Sequence, residues 1–305
     1  MKLPRIIYSA LALGVGAFAG CAHPAPAATE PANAIDVYLI GGQSNATGQG
    51  YMRNLPPGFV INTRVMLYYS DADRGLRSDV PANTWGPLHQ ASEDPSRFGP
   101  ELGFGNRIQE LFPHRKIALI KYARSNTNLY AQWNPGANAG DTVHWGPQFR
   151  SFVAAVEAGM QGLREQGYTP VIRGMIWHQG ENDAYGGANS ENYAKNLAHF
   201  IARVREQFHA SDMLFVYAYV LPSDKTAATY PGRDFVRQAE RDLDQDSSSP
   251  LAVKNTWVVE TADLNHRADD PKTPYPDDYI HIGTTGQLEL GQRMADAMKA
   301  HLSAD

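Results

Sequence analysis

Ser44 stands in Gly41-Gly42-Gln43-Ser44-Asn45, directly behind the apolar run Ile35-Asp36-Val37-Tyr38-Leu39-Ile40. A serine placed where a buried strand ends can project from a sheet edge into a cleft, which is where a nucleophile has to sit. Its hydroxyl attacks a carbonyl only when a base takes its proton, and that base, a histidine, needs a carboxylate to orient it. Asp-x-x-His supplies both from one loop. The chain has three such pairs, Asp141/His144, Asp263/His266 and Asp278/His281. Spacing does not choose among them. The first lies mid-chain in a loop before Trp145-Gly146-Pro147. The second follows a predicted strand and competes directly with the third. The third precedes the last predicted helix through Ile282-Gly283-Thr284-Thr285-Gly286, and that position favours it.

Acyl transfer builds negative charge on the carbonyl oxygen, and each donor fixed around it is worth roughly 3–4 kcal/mol of barrier. The backbone N–H of Ser44, the side-chain amide of Gln179 and a backbone N–H within Ser125-Asn126-Thr127 are the candidates. Other chemistries find no footing. Gly42-Gln43-Ser44-Asn45-Ala46 lacks the second glycine of the G-x-S-x-G elbow. There is no H-E-x-x-H, no P-loop and no dinucleotide-binding glycine fingerprint. His89, His114, His178 and His199 show no metal-ligand spacing, so neither metal nor cofactor is expected.

The elements that must carry these residues alternate between strand and helix. Short apolar runs at 36–40, 116–122, 171–177, 213–220 and 256–260 are nearly continuous in hydrophobicity, as in strands covered on both faces. Between them lie helical stripes: Phe149, Phe152, Val153, Val156, Met160 and Leu163; then Tyr193, Leu197, Phe200, Ile201, Val204 and Phe208; then Leu290, Met294, Met298 and Leu302. This spacing marks core faces. The pattern predicts an α/β fold, a three-layer α/β/α sandwich around a five-stranded parallel sheet. Ser44, Gln179, Asp278 and His281 would all fall on the carboxyl edge of such a sheet, where its ligands bind. Three segments, 48–98, 123–146 and 261–278, are too long and polar for simple connections and read as binding loops.

Composition bounds the partners. The chain has 305 residues and a formal net charge of −5. It has no basic tract, so nucleic acid is not an expected partner. Lys2 and Arg5 precede an apolar stretch too short to span a bilayer, which reads as a secretory signal over 1–20. Phe18-Ala19-Gly20 before Cys21 resembles a bacterial lipoprotein cleavage box, with Phe18 where leucine is usual. Cys21, the only cysteine, would then carry a lipid anchor and hold an exported protein to a membrane facing periplasm or cell surface. The alternative is an ordinary signal cut near Ala25-Pro26-Ala27 and a secreted product. Residues 21–34 are rich in Pro and Ala and read as an extended tether. The folded domain is expected over 35–305.

Taken in order, four blocks carry a resemblance to a known family. They are Gly41-Gly42-Gln43-Ser44-Asn45, Phe98-Gly99-Pro100-Glu101-Leu102-Gly103-Phe104, Gly174-Met175-Ile176-Trp177-His178-Gln179-Gly180-Glu181-Asn182-Asp183, and Asp278-Tyr279-Ile280-His281 followed by Gly291 and a terminal helix. The chain resembles the SGNH/GDSL hydrolases, and within them the sialate O-acetylesterase-like group (carbohydrate esterase family 6), with a flavodoxin-like sandwich. The resemblance implies a metal-free serine esterase acting on acetylated glycan. It implies Ser44 as nucleophile, His281 as base, Asp278 as its orienting acid and Gln179 as an oxyanion donor, which resolves the Asp-x-x-His ambiguity. Where the family has Gly-Gly-Thr, this chain has Ser125-Asn126-Thr127. Asparagine tolerates positive φ best after glycine, so the Asn126 N–H is expected to survive as a donor. Glu181 and Arg124 are expected to shape the pocket, and Trp133, Trp85 and Tyr130 to offer rings to a sugar. Two other functions remain open, a short-chain lipase or thioesterase on the same fold and a glycan-binding protein without catalysis.

Overall fold

The structure is a computed structural model that describes residues 31–70 and 81–302. The expected signal segment and Cys21 lie outside the described residues. In chain order the strands and helices are β1 (Ala34–Gly42), α1 (Ser44–Thr47), β2 (Gly50–Tyr51), β3 (Met66–Tyr69), β4 (Trp85–Pro87), β5 (Arg97–Phe98), α2 (Glu101–Leu111) and β6 (Ile117–Lys121). There follow α3 (Pro147–Glu165), β7 (Thr169–His178), α4 (Ala188–Glu191), α5 (Tyr193–Gln207), β8 (Leu214–Ala218), α6 (Arg233–Leu243), β9 (Thr256–Val259) and α7 (Thr284–His301).

The central sheet runs β4-β3-β6-β1-β7-β8-β9. From β3 to β9 every neighbouring pair is parallel, and β4 closes one edge antiparallel to β3. All five expected strands are present, and the sheet is two strands wider than expected. β3 is a four-residue strand, too short to declare a period. β4 is Trp85-Gly86-Pro87. Gly and Pro argue against a strand except at a sheet edge, where a missing N–H breaks no ladder. Both lie in the segment that sequence reading treated as loop.

Side chains of β1 alternate between two helical layers. Ile35, Val37 and Leu39 pack with the stripes of α3 and α5, among them Phe149, Phe152, Val156, Leu197, Phe200 and Val204. Tyr38 and Ile40 pack on the other face with Leu102, Phe104 and Ile108 of α2 and with Leu290, Met294 and Met298 of α7. The three-layer sandwich follows from this double burial.

The chain goes from β1 to β3 and β4 at one edge, returns to β6 beside β1, then crosses to β7 on the other side of β1. Such a reversal leaves a crevice at the carboxyl ends of the strands. The turns after β1 and β7, which carry Ser44 and Glu181, open into it.

Candidate active site

Gly42 ends β1 with φ of +133°. A Cβ there would lie 2.1 Å from the His178 carbonyl oxygen of β7, so both the φ and the close approach require glycine. The next residue, Gln43, donates its N–H to that same carbonyl at 2.9 Å. The chain then turns into α1, a single helical turn headed by Ser44. A residue at the first helical position has no partner for its N–H within the helix, so the helix leaves the Ser44 N–H available beside its own hydroxyl.

Ser44 Oγ lies 3.1 Å from His281 Nε2. His281 Nδ1 lies 2.8 and 3.1 Å from the two oxygens of Asp278. Asp278 Oδ1 also accepts the N–H groups of Ile280 at 3.3 Å and His281 at 3.1 Å, so the loop folds around its own carboxylate. Burial pushes the Asp278 carboxyl up. The hydrogen bonds and charge of His281, with the nearby Arg267 guanidinium, outweigh it and hold the group below the usual carboxylate range.

The other two Asp-x-x-His pairs are differently placed. Asp263 is gripped by both Nη atoms of Arg293 at 2.7 Å, and His266 turns instead toward Asp269. Asp141 and His144 do meet, at 2.5 Å, but on an exposed turn with the histidine three-quarters open to solvent.

Asn126 has φ of +61°, the left-handed conformation anticipated for a position where glycine is usual. It lines a cleft of about 480 Å³ together with Gln43, Ser44, Glu181, Asn182 and His281. Gln179 does not reach this cleft. Its Nε2 serves Asp183 Oδ2 at 2.6 Å, the Thr127 carbonyl at 3.1 Å and Gln43 Oε1 at 3.2 Å, and its side chain is 1% exposed. Its amide hydrogens are committed to the walls that hold Ser44 and Asn126, so the expected donation to an oxyanion is not what this side chain does here. Its partner Asp183 is pushed up to about 6 by burial, against the lowering effect of the hydrogen bonds from Gln179, Leu129 and Tyr130.

The expected substrate residues divide. Glu181 is buried and lines the cleft; its Oε1 accepts from Asn45 at 2.7 Å. Trp133 is 0% exposed and lies edge-on against Tyr122, Trp177 and Phe200, so it is core and not a sugar platform. Its indole N–H donates to Thr127 Oγ1 at 2.9 Å. Trp85 donates to the Gly159 carbonyl and packs on Tyr68 at the sheet edge. Arg124 faces Glu93 at 3.8 Å, and Tyr130 is exposed. None of these four lines the cleft. Its aromatic rings are Tyr185, Tyr230 and Tyr275 instead. Sequence reading missed these, although Tyr275 lies in the Pro-rich loop it singled out. It also missed Arg267, which reaches Asp278 at 3.3 Å and Gln49 at 2.8 Å. Among the described residues no group of three or more His, Cys, Asp or Glu is arranged to hold a metal ion.

Comparison with known proteins converges on one kind of enzyme. The family model "Carbohydrate esterase, sialic acid-specific acetylesterase" matches residues 34–300. A probable carbohydrate esterase of Arabidopsis thaliana is 21% identical over 293 residues, which is 89% of this chain and 93% of that protein. The solved structure of that same Arabidopsis thaliana protein superposes with a TM-score of 0.63 at 20% identity, covering 90% of this chain and all of the other. NanS superposes with a TM-score of 0.60 at 15% identity, over 87% of this chain and 97% of its own. XAC1771, a carbohydrate acetylesterase from Xanthomonas citri, gives 0.53 at 15% identity, over 85% of this chain and 54% of its own. At these identities the structural likenesses speak for the fold.

Proposed function

The chain belongs to the carbohydrate esterase, sialic acid-specific acetylesterase family, and on that premise we propose that it removes O-acetyl groups from a glycan through an acetyl-enzyme formed on Ser44. The observation that carries this reading is the run of contacts from Ser44 Oγ through His281 to Asp278, at 3.1 and 2.8 Å.

Ser44 Oγ attacks the acetyl carbonyl while His281 Nε2 takes its proton. Asp278 holds Nδ1–H, which fixes the tautomer with Nε2 free and stabilises the imidazolium that forms. The tetrahedral oxygen is received by the N–H groups of Ser44 and Asn126. Collapse breaks the bond to the sugar oxygen, which leaves with the proton from His281 Nε2. Water then gives a proton to the same nitrogen, attacks the acetyl carbon, and releases acetate with the serine restored. The tyrosines of the cleft, Tyr185 among them, present rings and hydroxyls to the sugar.

The test is acetate release from acetylated xylan, acetylated sialosides and p-nitrophenyl acetate by wild type and Ser44→Ala. The variant should lose several orders of magnitude, because the three residues act as a unit. Equal rates in the two proteins would remove the mechanism. A rate that rises from acetyl to octanoyl esters would turn the reading toward a lipase.

A further inference from the structure

Asn45 follows the proposed nucleophile and is 1% exposed, so it does not act as a free surface amide. Its side chain spans to the loop that carries His281, which lies more than two hundred residues away in the sequence. Ile282 N–H donates to Asn45 Oδ1 at 2.8 Å, and Asn45 Nδ2 donates to the Ile280 carbonyl at 3.2 Å. The amide therefore grips the backbone immediately before and immediately after His281. A residue in a neighbouring parallel strand would pair with the chain in the same way. The second hydrogen of Nδ2 goes to Glu181 Oε1 at 2.7 Å, and the Asn45 carbonyl accepts from Gln287 Nε2 of α7 at 3.1 Å. Both ends of the side-chain amide and the backbone carbonyl are held.

We propose that Asn45, braced by Glu181, is the positioning residue that sets the reach of His281 Nε2 to Ser44 Oγ. This rests on the esterase reading above. Asp278 and His281 belong to one short loop and orient each other locally. Nothing in that loop fixes its distance from the end of β1. Asn45 does so directly, because it is covalently next to Ser44 and bonded to both neighbours of His281. A longer tie runs from the Ser44 carbonyl through the side chains of Gln49 and Arg267, whose guanidinium reaches Asp278 and whose backbone N–H donates to the His281 carbonyl at 2.8 Å; it passes through two side chains, whereas Asn45 is covalently next to Ser44. An ångström of slack between reacting groups is worth about a hundredfold in rate. Only asparagine offers a donor and an acceptor at this length. Aspartate would keep the Ile282 contact, lose both donations and set two carboxylates against each other.

The experiment compares Asn45→Ala, Asn45→Asp, Asn45→Asp with Glu181→Gln, and Ser44→Ala, with rates on p-nitrophenyl acetate expressed per folded enzyme. Asn45→Ala should lower kcat by about a hundredfold with KM nearly unchanged, the signature of a lost transition-state alignment. The low-field proton resonance of His281 Nδ1–H against Asp278 should persist, because that pair does not depend on Asn45. The double variant restores an opposed donor and acceptor between positions 45 and 181 and should recover about tenfold over Asn45→Asp. Asn45→Ala with kcat near wild type, or with KM raised and kcat intact, beside an inactive Ser44→Ala, overturns the positioning role alone. An active Ser44→Ala overturns the esterase reading and this role together.

Discussion

Arg267 Nη1 lies 3.3 Å from Asp278 Oδ2, the same oxygen that His281 Nδ1 reaches at 2.8 Å. One carboxylate oxygen thus faces both a permanent cation and the imidazole it orients. The combination keeps Asp278 ionised well below the range in which an imidazole titrates, despite burial that opposes it. The sign is that of a depressed acid: its contribution is present above the ordinary carboxylate value and is lost only as pH falls through the lower folded one. Asp278 should therefore stay ionised, and keep orienting His281, through the acid limb of the activity profile. Asp278→Asn should lower kcat by roughly 10³–10⁴-fold at neutral pH, since a neutral amide neither fixes the tautomer nor stabilises the imidazolium. Steady-state rates from pH 5 to 9 check this, and a variant within tenfold of wild type would contradict it.

Asn126 supplies a second prediction. At φ of +61° it occupies a conformation that glycine reaches freely, asparagine tolerates and a β-branched residue resists. If its N–H receives the oxyanion, Asn126→Gly should keep kcat within a few-fold. Asn126→Val should lower it by about 10²–10³, the value of one misplaced donor. KM and kcat measured for both variants decide the matter. Equal loss in the two would mean that the asparagine side chain, and not the backbone conformation, is what matters.

The strands buried on both faces were legible because burial on both faces leaves an uninterrupted apolar run, and the stripes of α3, α5 and α7 because one face of each meets the sheet. β3 and β4 were not, since their place in the sheet comes from β3 pairing with β6 and β4 with β3, and not from any local pattern. The same limit governs the site. Three Asp-x-x-His pairs look alike in sequence, and what separates Asp263 from Asp278 is an arginine on the last helix, Arg293. A block pattern marked Gln179 and a long polar loop suggested Trp133, but neither signal says which way a side chain points. Both point inward and build the wall behind the cleft. Arg267 carried no local signal, because its partners Gln49 and Asp278 are brought to it by the fold.

Lys121 and Glu101 form an ion pair at 2.6 Å with both side chains 0% exposed. Burial lowers the lysine pKa, and Glu101 opposes that shift. Lys121 Nζ also donates to the carbonyls of Thr47, at the end of α1, and of Ala91. Glu101 Oε1 accepts the N–H groups of Ala91 and Gly99. The pair thus ties the turn carrying Ser44 to the segment ahead of α2. Lys121→Met strands a buried carboxylate and should cost about 3–5 kcal/mol of unfolding free energy. Adding Glu101→Leu removes the stranded charge but leaves two carbonyls and two N–H groups without partners. The double variant should recover only part of the loss. Urea unfolding of the three proteins measures this, and full recovery would show that the backbone ties contribute nothing.

Asp183 gives stability a pH dependence of its own. It sits under the cleft with Gln179, Leu129 and Tyr130 donating to it, and burial still raises its carboxyl from the ordinary 3.8 to about 6. A group whose folded pKa is raised contributes stability that is complete below its unfolded value and disappears as pH climbs through its folded one. The shift is about two units, so the wild-type protein should lose on the order of 3 kcal/mol from this residue between pH 4 and 7. Glu240, also raised by burial, contributes to the same trend, so the informative quantity is a difference. Asp183→Asn mimics the protonated acid at every pH and keeps an acceptor for the Leu129 or Tyr130 N–H. Its unfolding free energy should fall less steeply than that of wild type across this interval, the gap opening mainly between pH 4 and 6 and being largest by about pH 7. Parallel curves would mean that Asp183 keeps an ordinary pKa in the folded protein, with its three donors fully offsetting the cost of burial.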